Sequence, residues 1–164
     1  IGVANDFRRI GLVRDPYNFG TTTVASADTR RQLYAAVFSS VSGTFTADEE
    51  INQASTGAVG KVVEYDSTNK ILYFYQTRFP DVGTDSDGNL TAFSGANAIT
   101  GQSSSASATP NTSNSTTTNG TVFVSGYSNP ELAFDSGDII YVEERSPITR
   151  ASDQTENIKL IIEF

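Results

Sequence analysis

The clearest alternation of apolar and polar positions lies at the C-terminal end of the chain. From Asn157 to Phe164, the residues Ile158, Leu160, Ile162 and Phe164 fall at every second position. Side chains of a strand alternate between its two faces, so this spacing predicts a strand with one apolar face. Burying four such side chains is worth roughly 6–12 kcal/mol gross. Upstream, Ile139–Glu144 predicts a second strand, with Ile139 and Tyr141 on one face and Ile140 and Val142 on the other. Ser136-Gly137-Asp138 supplies a turn before it, and Pro147 ends it because proline cannot donate to a ladder. Near the start, Phe7–Val13 reads as a strand closed by Asp15-Pro16.

The centre of the chain is patterned more locally. Residues 19–26 are rich in Gly, Thr and Ser and read as connecting chain. In Ala27–Val41, Ser26 or Asp28 could cap a helix. Yet Leu33, Ala35 and Val37 alternate with Tyr34, Ala36 and Phe38, which favours a strand near Gln32–Val41. Ala58–Tyr65 and Ile71–Arg78 flank the turn residues Asp66-Ser67-Thr68-Asn69 and predict a hairpin. Its second strand is apolar on both faces, Leu72 and Phe74 on one, Ile71, Tyr73 and Tyr75 on the other. Such a strand is expected to be covered on both sides or to lie at an interface. Asp85-Ser86-Asp87-Gly88-Asn89 is turn chemistry, with short strands expected around Leu90–Phe93 and regular chain resuming at Thr121–Ser125. Gln102–Asn119 contains no large apolar residue. Burial there cannot offset the roughly 1–2 kcal/mol per residue of ordering the backbone, so a long exposed loop is expected.

Composition narrows the function classes. The 164 residues include 10 Phe and 7 Tyr, and Thr, Ser, Val and Ile abound. These types suit a pleated, half-buried surface. The net charge is −8 and no cluster of Lys and Arg exists, which argues against nucleic-acid binding. No apolar run reaches the roughly 20 residues a helical membrane span needs. Cys and His are both absent. That removes disulfides, thiol chemistry and every Ser–His or Cys–His mechanism. Met is also absent, even at position 1, which suggests a piece cut from a longer protein or a processed product.

The remaining candidates for chemistry are weak. Asp81, Asp85, Asp87 and Asn89 loosely suggest a calcium loop. Counted from Asp85, however, Gly88 falls at position 4 and Ala96 at position 12, where an EF-hand needs Gly at 6 and Glu at 12. A turn is the better reading, and no metal or other cofactor is expected. Asp48, Glu49 and Glu50 could be imagined as catalytic carboxylates, but adjacent acids more often form a solvated turn or strand edge. Asn89, Asn111, Asn114 and Asn119 begin Asn-x-Ser/Thr sequons, as chance predicts in so Asn/Ser/Thr-rich a stretch. Arg145, Arg150, Asp153 and Glu156 can brace their own loop or present a charged contact surface.

The residues from Gly137 to Phe164 resemble the end of the gene-eight type baseplate wedge protein of T-even-type tailed phages. The pattern falls on Ser136-Gly137, Ile140-Tyr141, Glu143, Arg145, Pro147-Ile148, Asp153 to Glu156, Ile158 and Phe164. Phe7-Arg8-Arg9-Ile10 through Asp15-Pro16 resembles the strand that precedes this block in the same family, from which roughly 110 residues separate it here. The middle, especially Gly43–Tyr75, is similar to a small β module of marine T-even-type cyanophage structural proteins, which suggests a marine or cyanophage-like source. The resemblance implies a virion structural protein of the tail baseplate, present in host cytoplasm during assembly. It implies contacts to other baseplate wedge subunits, a possible homodimer, and no catalytic activity.

Taken together, the sequence predicts an all-β chain, an antiparallel sandwich or barrel-like domain with an inserted small β module and a long Ser/Thr-rich loop. Residues 1–16 and 121–164 would form the β core with the baseplate-like end motif. Residues 17–100 would be the inserted module and 101–120 the low-complexity loop. The expected assembly interface is Tyr141, Arg145, Pro147, Arg150, Asp153 and Phe164, with neither nucleic acid nor membrane as partner. The alternative is a carbohydrate-binding or adhesin-type module, with Tyr73, Tyr75 and Tyr127 forming an aromatic platform.

Overall fold

The computed structural model of the chain describes residues 8–26, 31–76, 83–133 and 136–145. Among these residues there are eleven strands and no helix. In chain order they are β1 (Arg8–Arg14), β2 (Tyr34–Val37), β3 (Glu50–Gln53), β4 (Ala58–Asp66), β5 (Ile71–Tyr75) and β6 (Ile99–Gly101), followed by β7 (Ser107–Ala108), β8 (Thr117–Thr118), β9 (Thr121–Val122), β10 (Tyr127–Ser128) and β11 (Asp138–Arg145). The fold is all-β and antiparallel, as the sequence predicts. Two compact units form: one from Ile1–Pro16 with Gly137–Phe164, the other from Tyr17–Ser136.

The larger unit is built on a seven-stranded sheet in the order β10-β2-β5-β4-β3-β6-β7. Its centre is the expected hairpin, β4 and β5, paired from Asp66↔Ile71 to Lys61↔Tyr75 with a bulge between Val62 and Glu64. Asp66 shapes the turn, its Oδ1 accepting from the backbone N–H of Thr68 at 2.9 Å and of Asn69 at 3.0 Å. The sheet curls back on itself. Ser42 and Ser107 exchange two backbone hydrogen bonds of 2.9 Å, and Phe38 bridges Pro110. These links join the chain beyond β2 to the chain around β7, which occupies an edge that would otherwise be free.

The curled sheet encloses Phe38, Phe45, Ile51, Val62, Leu72, Phe74, Phe93 and Ile99. Their rings interlock, with Phe74 edge-on to Phe93 at 4.7 Å and Phe45 edge-on to Tyr65 at 5.6 Å. On the opposite face of β2 and β5, Phe123 seals a second cluster with Ala35, Val37 and Ile71. The two apolar faces of Ile71–Tyr75 are therefore both covered within this unit, as the sequence anticipated.

Several expectations change. The strand expected at Gln32–Val41 is limited to Tyr34–Val37, and Phe38 makes only an isolated bridge. Around Leu90–Phe93 only Leu90 makes a bridge, to Thr84, while Phe93 turns into the core. The stretch 101–120 contains β7 and β8 and buries Ala106 and Ala108. Small side chains suffice there because backbone and Ser hydroxyls are satisfied by partners elsewhere in the fold. The division between units falls at Ser136/Gly137, and not at residue 121, because β9 pairs with β8 and β10 with β2.

The two ends of the larger unit lie side by side. Phe19 donates to the carbonyl of Glu131, Ala133 to that of Tyr17, and the Tyr17 N–H to Ser136 Oγ at 2.9 Å. Half-buried Arg31 ties down the same region. Its guanidinium donates to the Leu33 carbonyl, to Ser128 Oγ at 2.7 Å and to the Asn129 carbonyl at 3.0 Å, while its N–H donates to Glu131. Burial lowers the Arg31 pKa, and Glu131 opposes that shift.

Candidate functional site

The smaller unit contains an antiparallel ribbon of β1 and β11, in register from Arg8↔Arg145 through Leu12↔Tyr141 to Arg14↔Asp138. A bulge between Leu12 and Val13 shifts the register. Arg14 donates to Asp138 Oδ2 at 3.0 Å across the open end. Both side chains are well exposed, so the pair contributes at most about 1 kcal/mol.

Among the described side chains of this ribbon, the apolar ones face solvent. Leu12 is 53 % exposed, Ile139 70 %, Ile140 59 % and Val142 56 %, with Val13 and Tyr141 close behind. Among the described residues no third strand joins the ribbon. A two-stranded ribbon is marginal in water on its own, and an apolar patch rimmed by charge marks an interaction surface. The sequence of β1 carries Arg8, Arg9 and Arg14, whereas β11 carries Asp138, Glu143 and Glu144 as well as Arg145. The ribbon therefore combines apolar contact area with two strands of opposite charge bias.

Of the six residues expected at the interface, Tyr141 is exposed on β11 and Arg145 ends the same strand four residues on. Pro147, Arg150, Asp153 and Phe164 lie outside the described residues, as does the expected strand Asn157–Phe164. Sequence reasoning did not single out Leu12, Val13, Ile139, Ile140 and Val142 as surface residues. Short apolar runs of this kind signal a strand with two apolar faces, and nothing in them says whether either face is covered.

The larger unit holds the other candidates. Glu49 is not solvated as expected but buried, 4 % exposed. Its Oε1 accepts from the Thr46 N–H at 2.7 Å and from Ser104 Oγ at 2.8 Å, and its Oε2 from the N–H groups of Ser104 at 2.9 Å and Ser103 at 3.2 Å. Burial acts to raise its pKa, but these bonds outweigh it and hold the carboxyl below its ordinary 4.5. A carboxylate with its oxygens so engaged is a poor acid catalyst, and Asp48 and Glu50 beside it are exposed. Gly101 makes the arrangement possible, because a Cβ there would lie 2.6 Å from Glu49 Oε2.

Buried Gln53 is a second hub. Its Nε2 donates to the Asn97 carbonyl and Tyr127 Oη, and its Oε1 accepts from Thr56 and Ser94. Asp85 accepts from the backbone of Asp87 and Asn89, a closed turn as expected. Asp81 lies outside the described residues, among which no group of three metal-binding side chains comes together.

The tyrosine platform does not form. Tyr73 packs beside Phe123 and bonds Thr121 at 3.1 Å, whereas Tyr127 packs against the enclosed core. A cavity of about 240 Å³ is lined by residues that include Tyr34, Phe74, Gln76, Phe93, Tyr127 and Asn129. Tyr73 and Tyr75 are not in its wall.

Residues 86–164 match the Phage-Gp8 family model, described as Bacteriophage T4, Gp8. This is a phage baseplate structural protein family. The match covers just under half of the chain and bears out the resemblance read from Gly137 to Phe164. It also begins well upstream of that segment, so it takes in β6 to β10 of the larger unit and all of β11. The segment Phe7 to Pro16 lies outside it. No curated protein and no solved structure matches the chain.

Proposed function

We propose that this chain is a non-enzymatic component of the baseplate wedge of a tailed phage and that the β1–β11 ribbon is a surface through which it assembles with other wedge subunits. The observation that carries the reading is the Phage-Gp8 match running through a β11 whose Ile139, Ile140, Tyr141 and Val142 are all exposed. Apolar side chains on a ribbon are unfavourable in water, and burying them against another subunit supplies a driving force for association. The flanking charges fix register and discourage wrong partners. Within this reading Tyr141, Arg145, Pro147, Arg150, Asp153 and Phe164 form the assembly interface, and the protein resides in the virion tail. A homodimer through the same unit would have a mass near twice 17.5 kDa by light scattering.

The test is co-expression with the other wedge subunits of the same phage, followed by affinity capture. Tyr141→Asp and Arg145→Ala are expected to reduce recovery of the partners several-fold. The melting temperature should move far less, because neither residue belongs to the enclosed core of the larger unit. Recovery at the wild-type level by both variants would remove the ribbon from the interface.

A further inference from the structure

Asn119-Gly120 is the one Asn-Gly dipeptide in the sequence. It forms the two-residue turn between β8 and β9, where Thr118 pairs with Thr121. Both turn residues have positive φ, 47° and 74°, the conformation that a tight hairpin of this twist requires. Both are exposed, and a Cβ on Gly120 would meet nothing within 4 Å. Asn119 Nδ2 donates to Asp66 Oδ2 at 3.2 Å, which latches this hairpin to the β4–β5 turn. The β8–β9 ladder has only two residue pairs. So short a ribbon opens locally at little cost.

We propose that Asn119 is a site of spontaneous deamidation and that its product unlatches the β8–β9 hairpin. In the opened turn the Gly120 nitrogen loses its proton and attacks Asn119 Cγ. A Cγ–N bond forms, the Cγ–Nδ2 bond breaks and ammonia leaves, giving a succinimide. Water then opens the ring at either carbonyl to yield aspartate or isoaspartate. Glycine favours the attack because no side chain shields its N–H. The bond to Asp66 opposes it by holding the amide in the closed turn.

The product cannot restore the latch. A carboxylate at position 119 faces the Asp66 carboxylate, where like charges repel. Isoaspartate adds a methylene to the backbone of a turn that has only two residues. The strain lies close to Thr121, which bonds Tyr73, and to Phe123, which seals the cluster on Ala35, Val37 and Ile71. Deamidation therefore loosens the cover of one face of the sheet while leaving the enclosed core in place.

Peptide mapping by mass spectrometry tests this on the intact chain aged in warm, mildly alkaline buffer. Asn119 is expected to gain about 1 Da, the exchange of ammonia for water at a thermolabile asparagine, several-fold faster than Asn114, which precedes Ser115. Asp66→Ser keeps a side-chain acceptor for the Thr68 and Asn69 N–H groups but is too short to reach Asn119, which removes the latch and should accelerate the reaction several-fold further. Asn119→Asp installs the product from the start and should speed hydrogen exchange over Thr117–Phe123. An Asn119 that stays intact while Asn114 converts would overturn the site. An unchanged rate in Asp66→Ser, or unchanged exchange in Asn119→Asp, would overturn the latch.

Discussion

Glu49 shows how far a single residue can be read and where reading stops. Three adjacent acids signal a polar turn, and two of them, Asp48 and Glu50, are exposed as expected. The middle one is buried because its donors Ser103 and Ser104 arrive from more than fifty positions away. Nothing in the local sequence announces them. Replacing Glu49 by Ala strands several donors at the foot of β3, and at about 1 kcal/mol or more for each buried unsatisfied group the chain should lose on the order of 3 kcal/mol of stability, measurable by urea denaturation. The pH dependence has a defined sign. The folded pKa lies below the ordinary 4.5, so the stabilisation is full above that value and is lost as pH falls through the lower, folded one. The stability gap between wild type and Glu49→Gln should be widest near neutrality and close on acidification. A gap that is constant across that range would show that the Glu49 charge contributes nothing. Asp66 and Asp85 are held low by their own turn bonds and shift both proteins alike.

At the scale of elements, strands with a strong local signal were legible and short ones were not. The β4–β5 hairpin follows from two apolar runs around an Asp-Ser-Thr-Asn turn, and β1 and β11 follow from short apolar runs and the flanking Pro and Gly. The strands β6, β7 and β8 are two or three residues long. No periodicity can establish itself over that length, and the Ser/Thr-rich composition of 101–120 points to loop. They are strands because Ile51 presents paired backbone to β6, Thr100 and Ser42 to β7, and Thr121 and Val122 to β8. Phe123 is the corresponding tertiary surprise. It lies just past β9, flanked by the exposed Val122 and Val124, yet is 1 % exposed itself. Phe123→Ala should lower stability by about 3–4 kcal/mol. It should also raise hydrogen exchange in β8 and β9 more than in β3 or β4. Equal changes in all four strands would mean that Phe123 is part of one undivided core.

For the whole molecule, composition settled the class early. Abundant β-branched and aromatic residues with no Cys and no His leave an all-β chain without thiol or histidine chemistry. The order of residues near the C-terminus carried the family signal, because a baseplate-like pattern of turn, strand and charged loop is local and survives in sequence. Organisation into units was a different matter. The sequence separated the ends from the middle at 16 and 121, whereas the fold places the second division at 136. That boundary depends on β10 pairing with β2 and on Tyr17 meeting Ala133 and Ser136, all contacts between residues far apart along the chain. Short apolar runs bounded by turn residues determined by themselves that β1 and β11 are strands, since such a run suits an extended backbone whichever way its side chains point. Only the tertiary structure decided that the faces of Ile71–Tyr75 are covered and those of Ile139–Val142 open. Burial is a property of what packs against a strand, and that is set by distant residues rather than by the strand's own pattern.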